Sequence, residues 1–344
     1  MGKQRIEYID AMRGFTMILV VYSHVCGMCL GDRWMGWNDV FFLFRLPCFF
    51  FISGWLFDSM RRSVKETIVH KFRVQIVPTV IFLLLLAPPP LFFSKLGATK
   101  GGYWFTFALF EFFILSIFSD RCLKRWGKAT GRRVWLGNGV FALIISVSAF
   151  SYDIYYNRHF KDMGLLTNAL GFLSFMTWRY YLFFYIGTWV KRHFGVFIGW
   201  TSKPLVIVMV ISGFVGIAML PHSDFAVSEY VIFAFGGILG MTMVFTVFRT
   251  LAPVLTKKTF AGRSLQYIGT RTLDIYLLHY FFLPRFLLPY GEQLRGWQCK
   301  PLEFVAALTL ALMVVGACLA VSYVLRLSPF LGYWLFGLKH YRTQ

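Results

Sequence analysis

Arg13, His24, Arg45, Glu111, Asp274 and His279 are ionisable side chains set inside stretches of this chain that are otherwise almost wholly apolar. Charged or titratable groups in such stretches normally face a protein interior or a wet cavity, and they are functional candidates by default. Their types suit proton transfer next to an anion. A histidine takes up and returns a proton near neutrality. A carboxylate beside it holds its tautomer and raises its basicity. Guanidinium groups bind phosphates or a developing oxyanion.

Arg13 and His24 share the first apolar segment, residues 8–29, and stand eleven residues apart. On a helix that spacing leaves them about 20° apart around the axis and about 16 Å apart along it, roughly half a membrane core. A cation near one mouth and a base deep on the same stripe is what a site facing two compartments needs. The plainer alternative is a snorkelling anchor for Arg13 and a hydrogen-bonded interior histidine for His24.

Arg45 lies about 8 Å below the outer boundary of the second segment, 40–57, and is expensive there unless it faces a cavity or an acid. Pro47 follows and should kink the helix, and the Ser53-Gly54 pair permits close packing. Residues 58–73 hold Arg61, Arg62, Lys65, Lys71 and Arg73. A solvated, topology-setting loop explains most of them, whereas Arg73 opens the next span. Cations at that mouth suit a phosphate-bearing donor such as coenzyme A or a nucleotide sugar. Glu111 is the acidic residue set well inside a span, and its depth differs from that of His24 by only about 6 Å, so the two are expected to meet or to share a network with Arg45. His279, read as a donor contact or an interior hydrogen bonder rather than a proton-transfer group, joins Arg45, Asp39 and Trp104 as a candidate substrate contact. Residues 152–176 form the longest outer loop, a candidate lid.

Positioning these groups falls to a membrane-embedded helical scaffold. Of the 344 residues, 58% are hydrophobic and 15% charged, with 40 phenylalanines and a mean hydropathy of +0.62. A soluble domain carries about 25% charged residues. Apolar segments near 8–29, 40–57, 74–93, 103–118, 134–151, 177–190, 204–220, 227–248, 272–289 and 302–325 predict an all-α polytopic membrane protein. They give about ten transmembrane helices in one domain over 1–344, with no room for a soluble domain. With the N-terminus in the cytoplasm, 24 of the 35 Lys and Arg residues fall on the cytoplasmic side, 8 outside and 3 in or at the edges of spans. That bias puts both termini in the cytoplasm. The net charge of +20 is thereby explained by topology, without nucleic acid. The first segment is too long, and too interrupted by Asp10 and Arg13, for a cleaved signal peptide. The six cysteines are scattered, and no metal site is expected.

The stretches RIEYIDAMRGFTMILVVYSHV, FRLPCFFFISGWLF, RVQIVP, GYWFTFALFEFF and IGTRTLDIYLLHYFF, in this order and at these spacings, resemble the acyltransferase-3 family of integral membrane acyltransferases. The resemblance covers nearly the whole chain. It implies about ten membrane helices and transfer of an acyl group, most often acetyl, from cytoplasmic acyl-coenzyme A to a hydroxyl of a polysaccharide, glycolipid or other carbohydrate in a bacterial inner membrane. Membrane lipids are the remaining partners, and the oligomeric state stays open. The Arg-x10-His element is Arg13 and His24, so the resemblance makes His24 the essential histidine and general base, with Arg13 its partner. Glu111 fits as an orienting carboxylate and Arg45 as an oxyanion contact, while Arg13, Arg61, Arg62 and Arg73 fit the coenzyme A phosphates. Where relatives often have histidine in the F-[HR]-x-P element this chain has Arg45, so no histidine role carries over. A transporter or flippase of a lipid-linked sugar is the alternative from another class, and it would more often show inverted repeats. None is visible.

Overall fold

The computed structural model describes residues 6–57, 63–87, 100–126, 131–159, 170–171, 173–220 and 226–338. Among the described residues every regular element is helical and no strand occurs. The α-helices are α1 (Glu7–Cys29), α2 (Asn38–Leu56), α3 (Val64–Lys71), α4 (Val77–Leu86), α5 (Trp104–Trp126), α6 (Gly131–His159), α7 (Tyr181–Arg192), α8 (Phe194–Thr201), α9 (Pro204–Ala218), α10 (Ala226–Thr250), α11 (Phe260–Thr270), α12 (Thr272–Phe282), α13 (Leu288–Gly296), α14 (Lys300–Arg326) and α15 (Pro329–Phe336). A π-helical stretch, Phe72–Ile76, joins α3 to α4, and 3-10 turns occupy Lys100–Gly102, Phe175–Tyr180 and Arg285–Leu287.

Six helical stretches are long and apolar enough to cross a membrane: Glu7–Cys29, Asn38–Leu56, Val64–Leu86, Arg133–Ile154, Glu229–Thr250 and Lys300–Arg326. The pair α8 and α9, bent by 81° at its break, makes a seventh if it counts as one span. The sequence predicts about ten. The segments that fall short, 103–118, 177–190 and 272–289, are nonetheless helical. In α5, Glu111 is followed by Asp120 and Arg121. The 12-residue α7 follows a 3-10 turn, and the 11-residue α12 ends at Leu283, before Pro284. A hydropathy window averages across such breaks. The predicted outer loop begins instead as helix, because α6 runs to His159; residues 160–169 and 172, like Arg61 and Arg62, lie outside the described residues.

The chain divides into two compact units. The first comprises Met1–Phe49, Val196–Pro221 and Ile232–Leu327. Its centre is α1, which packs against α11, α12 and α14. Two glycines set the closest of these approaches. A Cβ on Gly14 would stand 2.0 Å from the Leu265 carbonyl oxygen, and one on Gly269 would stand 1.9 Å from that of Asp10. Only glycine lets α1 and α11 meet backbone to backbone, the small-residue packing typical of helices in lipid. Elsewhere on this unit Leu205, Val208, Met313 and Val324 are exposed, as suits a bundle whose solvent is lipid.

The second unit comprises Phe50–Gly195, His222–Val231 and Ser328–Gln344. The last turns of α2 approach α7 in the same manner, with a Cβ on Gly54 only 1.9 Å from the Phe184 carbonyl oxygen and one on Gly187 only 2.0 Å from that of Phe51. The predicted close packing at Ser53-Gly54 is realised here. The core around it is aromatic: Phe50, Phe112, Tyr181, Phe183 and Phe184 are fully buried. Helix α2 passes through Pro47 without a break in its helical assignment.

Candidate active site

In the first unit three helices bring candidate residues together. His24, on α1 one turn from its end, is half-buried, and His279, on α12, is wholly buried. Their ring centroids are 5.0 Å apart, and the Tyr280 ring lies 5.2 Å from His24. The Nδ1 of His279 is 2.7 Å from the Tyr276 carbonyl oxygen and 3.2 Å from that of Ile275. Carbonyl oxygens only accept, so Nδ1 carries the proton and donates, and Nε2 holds a lone pair in the neutral ring. That Nε2 is buried without a hydrogen-bond partner among the described residues.

Arg45, buried on α2, donates from Nη1 to the Asn38 side-chain oxygen at 2.8 Å. The Asn38 amide in turn donates to the Ser23 hydroxyl at 3.3 Å and to the Arg33 carbonyl. Ser23 immediately precedes His24, and Arg45 and His279 are the ionisable groups whose charges bear on His24. A fixed cation and a second imidazole therefore flank the histidine. Asn38 and Tyr280 were missed in the sequence reading. Asn38 stands seven residues before Arg45, two helical turns along the same face, which is the signal that reveals it.

Ion pairs and hydrogen bonds hold the frame around these residues. At the start of α12, Asp274 accepts from Arg326 through Nε at 2.7 Å and Nη2 at 2.8 Å, and also from the Ser322 hydroxyl, while Arg271 lies 3.7 Å away. Glu303 on α14 accepts the Gly36 backbone N–H at 2.8 Å. Gly36 has φ of +61°, and a Cβ there would lie 2.5 Å from the Tyr22 hydroxyl. The loop between α1 and α2 is thus pinned from both sides, which fixes where α2 begins and where Asn38 and Arg45 sit. Asp39 accepts its neighbour Val40 N–H at 2.9 Å. Arg13 lies half-buried in the part of α1 that faces α11.

The remaining candidates belong to the second unit. Glu111 on α5 accepts the Trp178 indole N–H at 2.7 Å. Lys100, buried beside it, has its ammonium pushed below the ordinary lysine value by burial, with Glu111 pulling it back up. Trp104 stacks on Tyr180 at 5.9 Å. Arg73, in the π-helical stretch, donates to the Leu338 carbonyl at 3.3 Å, and its guanidinium lies 4.7 Å over the Tyr333 ring. Such π stretches often mark functional positions.

One cavity, of about 350 Å³, lies along α8, α9 and α10 and is lined by Val206, Val210, Met243, Val247 and Thr246 among others. None of the candidate residues lines it, and nothing in its lining is ionisable, so the chemistry is not there. Among the described residues no group of three or more His, Cys, Asp or Glu side chains is arranged to hold a metal ion.

A half-buried histidine flanked by an arginine and a second histidine is suited to take a proton from a hydroxyl and to face a developing negative charge. A family comparison bears on the chain as a whole. Residues 6–327 match the family described as an acyltransferase domain, the third of the acyltransferase families. The chain belongs to the acyltransferase-3 family. The match runs over nearly the whole chain and includes Arg13, His24, Arg45, Arg73, Glu111 and His279. Membership supports a membrane acyltransferase, with an acyl donor and an acceptor as its substrates. No curated protein and no solved structure matches the chain.

Proposed function

We propose that this protein is a membrane O-acyltransferase that moves an acyl group, acetyl in the simplest case, from cytoplasmic acyl-coenzyme A to a hydroxyl of a carbohydrate, glycolipid or polysaccharide in a bacterial inner membrane. His24 is the general base. Neutral His24 takes the proton of the acceptor hydroxyl, and the oxygen attacks the thioester carbonyl carbon. The carbon–sulfur bond then breaks, the coenzyme A thiolate leaves, and the proton held by His24 goes to it. Arg45 faces the oxyanion that forms on the way. Arg13, Arg61, Arg62 and Arg73 are assigned to donor phosphates, which guanidinium groups bind bidentately. Asp39, Trp104 and His279 are assigned to substrate contacts, and Glu111 to a supporting role beside Trp178.

The observation that supports this reading most is the setting of His24: a titratable group in an apolar helix, with Arg45 as an ionisable neighbour and the His279 ring 5.0 Å away. The topology proposed with it has about ten crossings, counting broken helices as spans, and both termini in the cytoplasm. Cys122 and Cys299 are both exposed, and this topology puts them on opposite faces. In intact cells an impermeant maleimide should label Cys299 and spare Cys122; the reverse pattern inverts the orientation. The activity is tested by incubating membranes with acetyl-coenzyme A radiolabelled in its acetyl group. Label should enter the carbohydrate or glycolipid fraction in step with release of free coenzyme A. A protein that transports and does not acylate would give neither.

A further inference from the structure

We infer that His279, rather than a carboxylate, is the positioning residue for His24: its Nε2 accepts an N–H from the His24 ring and so fixes which His24 nitrogen faces the acceptor hydroxyl. The inference rests on the reading of His24 as the base and adds to it the group that sets its tautomer.

Three observations carry it. First, His279 is locked. Two backbone carbonyls of its own helix hold Nδ1–H at 2.7 and 3.2 Å, so the ring cannot turn without losing both bonds. Second, the other end of that ring is a buried acceptor with no donor among the described residues. Native proteins rarely leave such an atom unsatisfied, and a catalytic role is one of the reasons they do. Third, the ring beside it is His24, with centroids 5.0 Å apart and planes tilted by 36°. At that separation an N–H of His24 directed at His279 comes within hydrogen-bond distance of Nε2.

The choice of histidine over an acid has a physical reason. A carboxylate at this place would attract Arg45, one of the two ionisable groups that bear on His24, and would compete for it with the oxyanion. A neutral imidazole orients the base and leaves the cation to the reaction. Asn38, which holds Arg45 from the other side at 2.8 Å, is neutral as well. Glu111, the carboxylate that depth alone singled out, accepts from Trp178 in the second unit.

The test combines two readouts on the full-length protein in lipid nanodiscs. In nitrogen-15 spectra of histidine-labelled protein, the His24 signals are identified by their loss in His24→Ala. The inference expects one His24 tautomer, with its N–H hydrogen-bonded, and loss of that preference in His279→Phe but not in His279→Gln, whose amide oxygen comes near the Nε2 position. Turnover of acetyl-coenzyme A, read as free coenzyme A, should fall in kcat by about 10- to 100-fold in His279→Phe. This is less than removal of a charged orienting group costs. KM for acetyl-coenzyme A should change by less than about threefold, and His279→Gln should recover most of the rate. A mixed or unbonded His24 tautomer in the wild type overturns the inference whether or not the phenylalanine variant folds. Equal kcat in wild type and His279→Phe overturns it too. Full transfer by His24→Ala would instead remove the reading of His24 as base, a separate failure that leaves the tautomer measurement standing.

Discussion

Helix α12 carries two buried ionisable residues five positions apart, and they are treated in opposite ways. Asp274, at its start, is held at both oxygens: Arg326 grips both, Ser322 donates to one of them, and Arg271 stands near. His279, one and a half turns on, is hydrogen-bonded at one nitrogen, its other nitrogen has no hydrogen-bond partner among the described residues, and the ring of His24 lies beside it. A buried carboxylate held at both oxygens fixes helices in place and has little left to offer a substrate. A buried acceptor left open is costly to the fold and calls for an explanation, which the role proposed beside His24 supplies for His279. The second unit also holds its carboxylates with cations. Asp120 is engaged by Asn138, Arg192 and Lys124, and Asp153 by Arg179 at 2.5 Å.

This contrast sets the order of expected effects. Asp274→Ala takes away the buried carboxylate that Arg326 holds through two nitrogens, and breaking a buried ion pair costs about 3–5 kcal/mol. The variant should lose a large part of its thermal stability in nanodiscs, and all activity with it. A variant as stable as wild type would mean that the pair is not structural. Next comes Gly269→Leu, which has no room against the Asp10 carbonyl. It should accumulate poorly in membranes or melt well below wild type, while Gly216→Leu, which meets open space, should behave as wild type.

Arg45→Lys should keep the fold but lower kcat by about tenfold, because an ammonium cannot reproduce the planar fork that reaches Asn38 while facing His24. An unchanged kcat would move the oxyanion contact elsewhere. The smallest effect is expected at Glu111. In Glu111→Gln the amide oxygen still accepts from Trp178, so kcat should change by less than about threefold. A loss comparable to that of His24→Ala would make Glu111 the orienting acid after all and would blur the distinction drawn on α12.

The features that local spacing decides were readable from the amino-acid sequence. Arg13 and His24 needed only the helical repeat, and Gly54 needed only the rule that small residues mark close helix packing. What went unread depends on direction around an axis or on breaks within a span. Depth in the membrane brought Glu111 and His24 to similar heights, and height alone could not name Trp178 as the donor to Glu111. His279 was readable as an interior hydrogen bonder, and Nδ1 is that; the open Nε2 and the neighbouring His24 depend on how α1 and α12 pack. Arg73 looked like a cation at a mouth, and its nearest partners turn out to be Leu338 and Tyr333. The span count of about ten depended on uninterrupted segments. The 3-10 turn before α7, the end of α12 ahead of Pro284 and the bend between α8 and α9 leave six or seven long apolar stretches among the described residues.

The central claim is that His24 is the base of an acyl transfer. Its most direct test is purified His24→Gln beside wild type, with acetyl-coenzyme A turnover and thermal stability measured on the same preparations. The account predicts an unchanged melting temperature with kcat lower by about 10²- to 10⁴-fold, the range that general-base catalysis supplies. A folded His24→Gln protein that turns over acetyl-coenzyme A at the wild-type rate would contradict it.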